Sequence, residues 1–462
     1  MGTLKPSPFF QLSRIKMTTS RTKKSLRGSV KLSLRVGLVS GLAGLVMLIQ
    51  DVVIASHFAT GGAADAYQLA ISFPTLALNV FAGGTLLAVL VPLLTRLTVE
   101  NRDVEMRALV KRVKLQIGCL LLAACAIWIA IYPYLIDQIA SGFSLESLKL
   151  SASLLWVVAP VLLFSGLASV DAAVLNSRKR FVFISTMPAF LPAGVVLCVF
   201  FFKDQLGIYA AATGLLIGSV VQWWASYRLT APLIGPLIPS RSALKWSELA
   251  KNYLIAAASA ALLAGIVLTD TFMASSGPPG SAATYGYAVR PVILILAFVT
   301  AVIGNVVLPS FSHLAAISDW RSLKTQVIFW FGLLALGSLP FIALWHAQAT
   351  SVVALLYQHG AFGPADTDKV AAVQQIYMLQ TPFFLVGVIG WRVLNSLNQN
   401  KALLIITAVC FLVNLATDIW MTPSYGLKGI AWGTNLAFTL WAILITFYMI
   451  KIHSTRPNAA AS

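Results

Sequence analysis

Apolar runs of roughly 20 residues, long enough to cross a bilayer as helices, follow one another along almost the whole chain. Short polar segments separate them. The runs lack the two-residue alternation of a membrane barrel. Backbone in lipid must satisfy its own polar groups, so the pattern predicts an all-α polytopic membrane protein. About twelve helices are expected at this spacing. The first covers Ser33 to Phe58 and the second ends near Leu97; the third covers Leu115 to Ile136, and three more end near Asn176, Phe202 and Tyr227. The series resumes with Tyr253 to Ala274 and runs on to His313 and His346. It closes with Val370 to Leu397, Leu403 to Met421 and Gly429 to Ile450. A short amphipathic piece, VVALLYQHGAFG, precedes the tenth helix.

One arrangement of polar breaks occurs twice. Between Gln50 and Leu97 an apolar helix carrying Asp51 leads through a Gly-rich turn into a second apolar helix that ends at Pro92 and a basic flank. TDTFMASSGPPGSAATYGYAVR, opening at Thr269, and the later VLPSFSHL repeat the scheme, with Asp270 in the place of Asp51 and Pro309 in that of Pro92. Two parallel six-helix bundles around a central cavity are therefore expected, related by an axis along the membrane normal. The boundaries read as a basic tail (1–30), an N-terminal bundle (31–230), a proline-rich connector (231–252), a C-terminal bundle (253–450) and a second tail (451–462). A binding site belongs between the bundles, near mid-membrane.

Composition agrees with a membrane protein. The chain of 462 residues is 58% hydrophobic and 10% charged, with a mean hydropathy of +0.83; soluble domains have about 25% charged residues. The net charge of +18 does not point to nucleic acid, because the basic residues lie in alternate loops between apolar runs, which is the signal for cytoplasmic loops. Both termini fall on that side, so a multi-pass protein of the bacterial inner membrane with cytoplasmic ends is expected. The first 30 residues read as a tail touching anionic membrane lipid, and Met17 is an alternative start. The four cysteines sit within apolar runs as small packing residues.

Charges inside apolar runs are costly, about 2.5–3.5 kcal/mol each at the bilayer centre on insertion scales, and each calls for a reason. Asp51 and Asp270 lie near the outer ends of helices 1 and 7. Interfacial capping and a cavity-lining or ion-coupling role are both open for them. Arg290, in GYAVRPVILIL, reads either as snorkelling to the interface or as a cation facing a central cavity, where its planar fork suits phosphate. Arg392 lies nearer the cytoplasmic end of helix 10. Asn79, Asn305, Gln374, Gln375, Gln380, Asn414, Asp418 and Asn435 are explicable as interhelical hydrogen-bonding groups. His57, His346 and His359 read as interfacial rather than as metal ligands. No phosphate-binding loop, nucleophile elbow, zinc motif or CxxC is present, so neither an enzyme nor a cofactor is expected.

The run DVVIASHFATGGAADAY (51–67), with FP and VP after it, resembles the first hairpin of the MurJ/MviN family. LASVDAAVLNSRKRF (167–181) is similar to the end of that family's fourth helix and its following loop. YAVRPVILILAFVTAVIGNVVLPSFS resembles the eighth helix, and LLYQHGAFG the amphipathic segment before the tenth. The resemblance covers nearly everything after residue 30. It implies the multidrug/oligosaccharidyl-lipid/polysaccharide exporter superfamily, whose fold is two bundles around a V-shaped cavity, and a flippase for polyprenyl-diphosphate-linked saccharides. It also implies that Arg290 is a cavity arginine, Asp51 an acidic residue of helix 1 and Arg392 a basic position of helix 10.

The departures bear on the substrate. Peptidoglycan-precursor flippases of this family usually carry arginines where Gly44, Gln50 and Leu78 or Asn79 stand here, an acidic residue in place of Gly83, and two further C-terminal helices. The expected cavity is thus less cationic, and the reading leans to an exopolysaccharide repeat unit, with lipid II as the alternative. Arg290, Arg392, Arg35 and Asn79 are the expected substrate-binding residues, and Asp51 and Asp270 the ion-coupling or cavity ones. A drug or cation antiporter of the same superfamily and a non-transporting scaffold for polysaccharide assembly proteins are the other readings.

Overall fold

The computed structural model describes residues 35–81, 84–234, 246–316, 319–397 and 399–455. The basic tail, half of the connector (235–245) and Gly83 lie outside the described residues. Among the described residues there is no strand. The first half contains α1 (Arg35–Phe58), α2 (Gly62–Phe81), α3 (Gly84–Val99), α4 (Asp103–Ile139), α5 (Leu145–Ser177), α6 (Phe181–Thr186), α7 (Phe190–Leu206) and α8 (Tyr209–Ile234). The second contains α9 (Trp246–Ser275), α10 (Ser281–Ala316), α11 (Trp320–Tyr357), α12 (Pro364–Tyr377), α13 (Thr381–Ser396), α14 (Asn400–Tyr425) and α15 (Leu427–Thr455). Ten helical stretches among the described residues are long and apolar enough to cross a membrane. The α2–α3 pair and α8 occupy the second and sixth of the expected positions. The protein is a multi-pass membrane protein, and Trp156, Phe200, Phe201 and Trp420 are among the large apolar side chains it leaves exposed for lipid.

Several boundaries differ from the expectation, each for a local reason. The second expected helix is described as α2 and α3, on either side of residues 82–83, which lie outside the described residues. The basic loop after it is mostly helix: α4 begins at Asp103 rather than Leu115, because its charged residues are good helix formers and pair locally, as Arg102 does with Glu105 at 2.6 Å. The guanidinium groups of Arg96 and Arg102 beside Glu100 hold its carboxyl below the usual range. The amphipathic VVALLYQ continues α11 as far as Tyr357, leaving only residues 358–363 outside helix. Pro188 and Pro382 lack an N–H and crowd the preceding turn, and short 3₁₀ turns, Met187–Ala189 and Met378–Gln380, lie at these points.

Packing within each half relies on small residues. Gly214 and Gly218 of α8 face Gly194 of α7 so closely that a Cβ on Gly218 would come within 2.7 Å of the Leu191 Cα, the close approach that small residues allow in lipid. Lys114 of α4 pairs at 2.5 Å with Asp171 of α5, which also accepts from Thr230 of α8 at 2.5 Å. In the second half α14 packs on α15 and α9, and α13 on α11 and α15. The halves meet where α2 lies against α9 and α10, and α3 against α9.

Candidate functional site

A cavity of about 370 Å³ lies on that meeting line, walled by α1 and α2 from one half and by α9 and α10 from the other. Its wall is mainly apolar; Gln50, Asp51, Gln68, Thr271, Tyr285 and Arg290 supply polar groups. One side of the molecule carries the basic loops. At the other, sparsely charged end the halves are closed over the cavity. There Asp65, in the first turn of α2, accepts the N–H of Gly280 at 2.5 Å and that of Ala283 at 2.7 Å. The carboxylate thus caps the start of α10, where backbone donors have no helical partner. Thr60 donates to Asp366, the Ala361 N–H donates to the Ser56 carbonyl at 2.7 Å, and Asp366 reaches back to the Gly363 N–H at 3.1 Å. A Cβ at Gly280, whose φ is +92°, would strike the Thr60 carbonyl, so only glycine fits there.

Arg290 sits in the cavity wall, its side chain 26% exposed. It does not snorkel. One Nη donates to the Asp51 carboxylate on α1 and the other to Gln68 Oε1 on α2 at 3.0 Å. Asp51, Gln68 and Arg290 also border a small void of about 10 Å³ beside Tyr67 and Tyr287. The Tyr67 and Tyr287 hydroxyls have no partner, and that volume is about what one water needs.

Asp270 is placed differently. It is fully buried in the second half and does not line the cavity. It accepts from the Tyr285 hydroxyl at 2.6 Å, from Thr434 at 2.9 Å and from Asn414 at 3.2 Å. Asp418, one turn after Asn414 on α14, is its other buried neighbour, and both Asp418 oxygens lack a donor. Tyr285 joins the two regions, since it lines the cavity and donates to Asp270.

The other expected residues scatter. Arg392 is half-buried on α13 and donates to the Thr300 carbonyl at 3.4 Å, with its Nε unpartnered; it is not in the cavity wall. Arg35 is exposed at the start of α1, 16 residues from Asp51, which is about 24 Å along a helix. The Asn79 side chain lies outside the described residues. Gln50 lines the cavity, whereas Gly44 and Leu78 do not. Asp65, Gln68 and Tyr285 were not among the residues expected from sequence, and Asp418 was expected there only as an interhelical hydrogen-bonding group. Only Asp418 carried a signal, its spacing of four from Asn414 on one helix face.

Comparison with known proteins places this geometry. The model of the family described as "Lipid II flippase MurJ" matches residues 54–461. A probable lipid II flippase MurJ of Synechocystis sp. is 27% identical over 451 residues, covering 94% of this chain and 82% of the relative. The lipid II flippase MurJ of Thermosipho africanus is 22% identical over 407 residues, covering 87% and 81%. Among solved structures, a lipid II flippase MurJ in an inward closed conformation superposes with a TM-score of 0.76 at 21% identity, over 91% of this chain and 89% of that one. An inward-facing multidrug transporter of the MATE family, from the same exporter superfamily, superposes with a TM-score of 0.67 at 14% identity, over 92% and 100%. The two bundles expected from the repeated hairpin, and the exporter fold that the family resemblance implies, are thus observed, and the chain belongs to the MurJ family.

Proposed function

We propose that this protein moves a polyprenyl-diphosphate-linked saccharide from the cytoplasmic to the periplasmic leaflet of the inner membrane by alternating access, with the two halves rocking against each other. It makes and breaks no covalent bond. The observation that carries the reading is the guanidinium of Arg290 in the wall of a cavity between the halves. The basic loops mark the cytoplasmic side, which makes the closed end periplasmic. The head group enters from the cytoplasmic side while the lipid tail stays in the bilayer. Arg290 has five donors. It can hold Asp51 with some and turn those now on Gln68 to a phosphate, in charge-assisted bonds. Arg35 and Arg392 supply further positive charge nearer the cytoplasmic entrance.

The substrate reading follows the relatives. Their names all specify lipid II, which supports the peptidoglycan precursor over the exopolysaccharide repeat unit that the sparse arginines suggested. The exopolysaccharide unit stays as the second reading, because Arg290 and Asp51 leave the cavity wall with no net charge. A drug antiporter gives Arg290 no task, and a scaffold gives none to the cavity. Of the two matched carboxylates, Asp270 suits ion coupling better than Asp51. Asp270, Asp418, Asn414 and Thr434 cluster oxygen atoms, the donor type preferred by a proton or a hard cation.

Complementation decides between substrates. In cells depleted of their own lipid II flippase, the wild-type chain should restore peptidoglycan synthesis and Arg290→Ala should not. Failure of the wild type, with rescue instead in cells lacking an exopolysaccharide flippase, would overturn the lipid II assignment.

A further inference from the structure

A second hollow, of about 380 Å³, opens between α11, α13 and α15 and shares no residue with the central cavity. Leu323, Val327, Phe331, Val393, Leu397 and Met449 make its wall apolar, and no acidic residue lines it. Its polarity is graded. On α11 the residues Trp320, Leu323, Lys324, Val327, Ile328 and Phe331 recur at the three- and four-residue spacing of one helix face. The cation and the tryptophan stand in the first turns and the remainder is hydrocarbon. From Trp320 to Phe331 is about 16 Å along the axis, close to half of the roughly 30 Å hydrocarbon core, which is the depth of one leaflet.

The charge at the mouth is positive. Lys324 and Arg321 are exposed. The nearby acid, Asp319, turns its carboxylate into its own helix, where it accepts the Ser322 N–H at 3.0 Å. No ion pair to Lys324 occurs among the described residues. Ile328 and Ile450, on the lips of the hollow, are exposed to lipid. A basic mouth over an apolar slot one leaflet deep matches an amphiphile with an anionic head. Free phosphate would leave the slot empty, and a zwitterionic lipid would leave the mouth unmatched.

We propose that the groove between α11, α13 and α15 holds an anionic phospholipid of the leaflet at the basic end, with one acyl chain along the groove and its phosphate on Lys324. The site is independent of the transported substrate. Native mass spectrometry of the full chain in detergent, titrated with phosphatidylglycerol or phosphatidylcholine, tests it. Phosphatidylglycerol should bind in preference, and Lys324→Gln should lower its occupancy about fivefold while leaving phosphatidylcholine unchanged. Val327→Trp, which fills the slot, should remove the bound lipid. Inorganic phosphate should not displace it. Thermal unfolding of each variant without added lipid confirms that it is folded. Equal binding of both lipids, full phosphatidylglycerol occupancy in Lys324→Gln or Val327→Trp, or displacement by inorganic phosphate would overturn the proposal.

Discussion

Arg290 and Asp51, 239 positions apart, form an ion pair that ties α10 of one half to α1 of the other across the cavity. The tie makes Asp51 more than a counter-charge. It aims the guanidinium into the cavity and holds the halves together there. On the proposed function, a diphosphate entering the cavity would take the donors now on Gln68 of α2, so substrate binding and loosening of the halves would be linked. Asp51→Asn should leave the guanidinium with a weaker acceptor, at a cost of about 1.5–3 kcal/mol, the worth of a hydrogen bond to a charged group. The reversed pair, Asp51→Arg with Arg290→Asp, should recover thermal stability toward wild type. It should not recover export, because the cation then projects from α1. Full export by the reversed pair would mean that position along the wall is immaterial.

The contacts at the sparsely charged end have to break before the cavity can open there. Thr60 and Asp366 touch across the halves, so cysteines at these two positions, in a chain whose four native cysteines are replaced by alanine, should form a disulfide under oxidation. The oxidised protein is expected to lose export and to regain it on reduction. Undiminished export while cross-linked would require the halves to separate at some other end.

Asp65 sets the ease of that opening. Its carboxylate caps the start of α10 from the opposite half. Asp65→Ala removes a cap worth about 0.5–2 kcal/mol from the closed state alone, shifting the balance toward opening by roughly 2- to 30-fold. Labelling of a cysteine placed at Gln68, by an impermeant thiol reagent added from the periplasmic side, should rise accordingly. Unchanged labelling would assign Asp65 to folding rather than to the gate.

How much of this could be read from the chain depended on distance along it. The repeated hairpin, the count of spans and the suspicion of Asp51 and Arg290 came from apolar periodicity and the rarity of charge in lipid. Both are local properties. The pairing of Asp51 with Arg290 was not legible because the two lie 239 positions apart, and that of Asp65 with Gly280 because an acid at a helix start looks alike whether it caps its own helix or another. The matched positions of Asp51 and Asp270 suggested matched duties. The structure separates them, since α1 borders the opposite half while the Asp270 stretch of α9 faces α14 and α15. Reading charged residues as loop hid the first turns of α4, where ion pairs one turn apart favour helix as well as solvent.

The Asp270 cluster supplies the last test. Two neighbouring buried carboxylates, Asp270 held by Asn414 and Thr434 and Asp418 lacking a donor, are costly to leave both charged without a cation or a shared proton. A bound cation would relieve that cost and stabilise the folded protein by mass action. Thermal unfolding of the wild type should therefore rise with sodium concentration at constant ionic strength, or else shift with pH in sodium-free buffer if a proton fills the role. Asp418→Asn should abolish whichever dependence is found, and should lower export in reconstituted vesicles while substrate binding, which rests on Arg290, persists. If neither sodium nor pH moves the unfolding temperature and Asp418→Asn exports normally, the cluster is a helix-joining polar network. The drive for transport would then lie elsewhere, in the membrane potential acting on the substrate's own charge, at about 2.3 kcal/mol per charge per 100 mV.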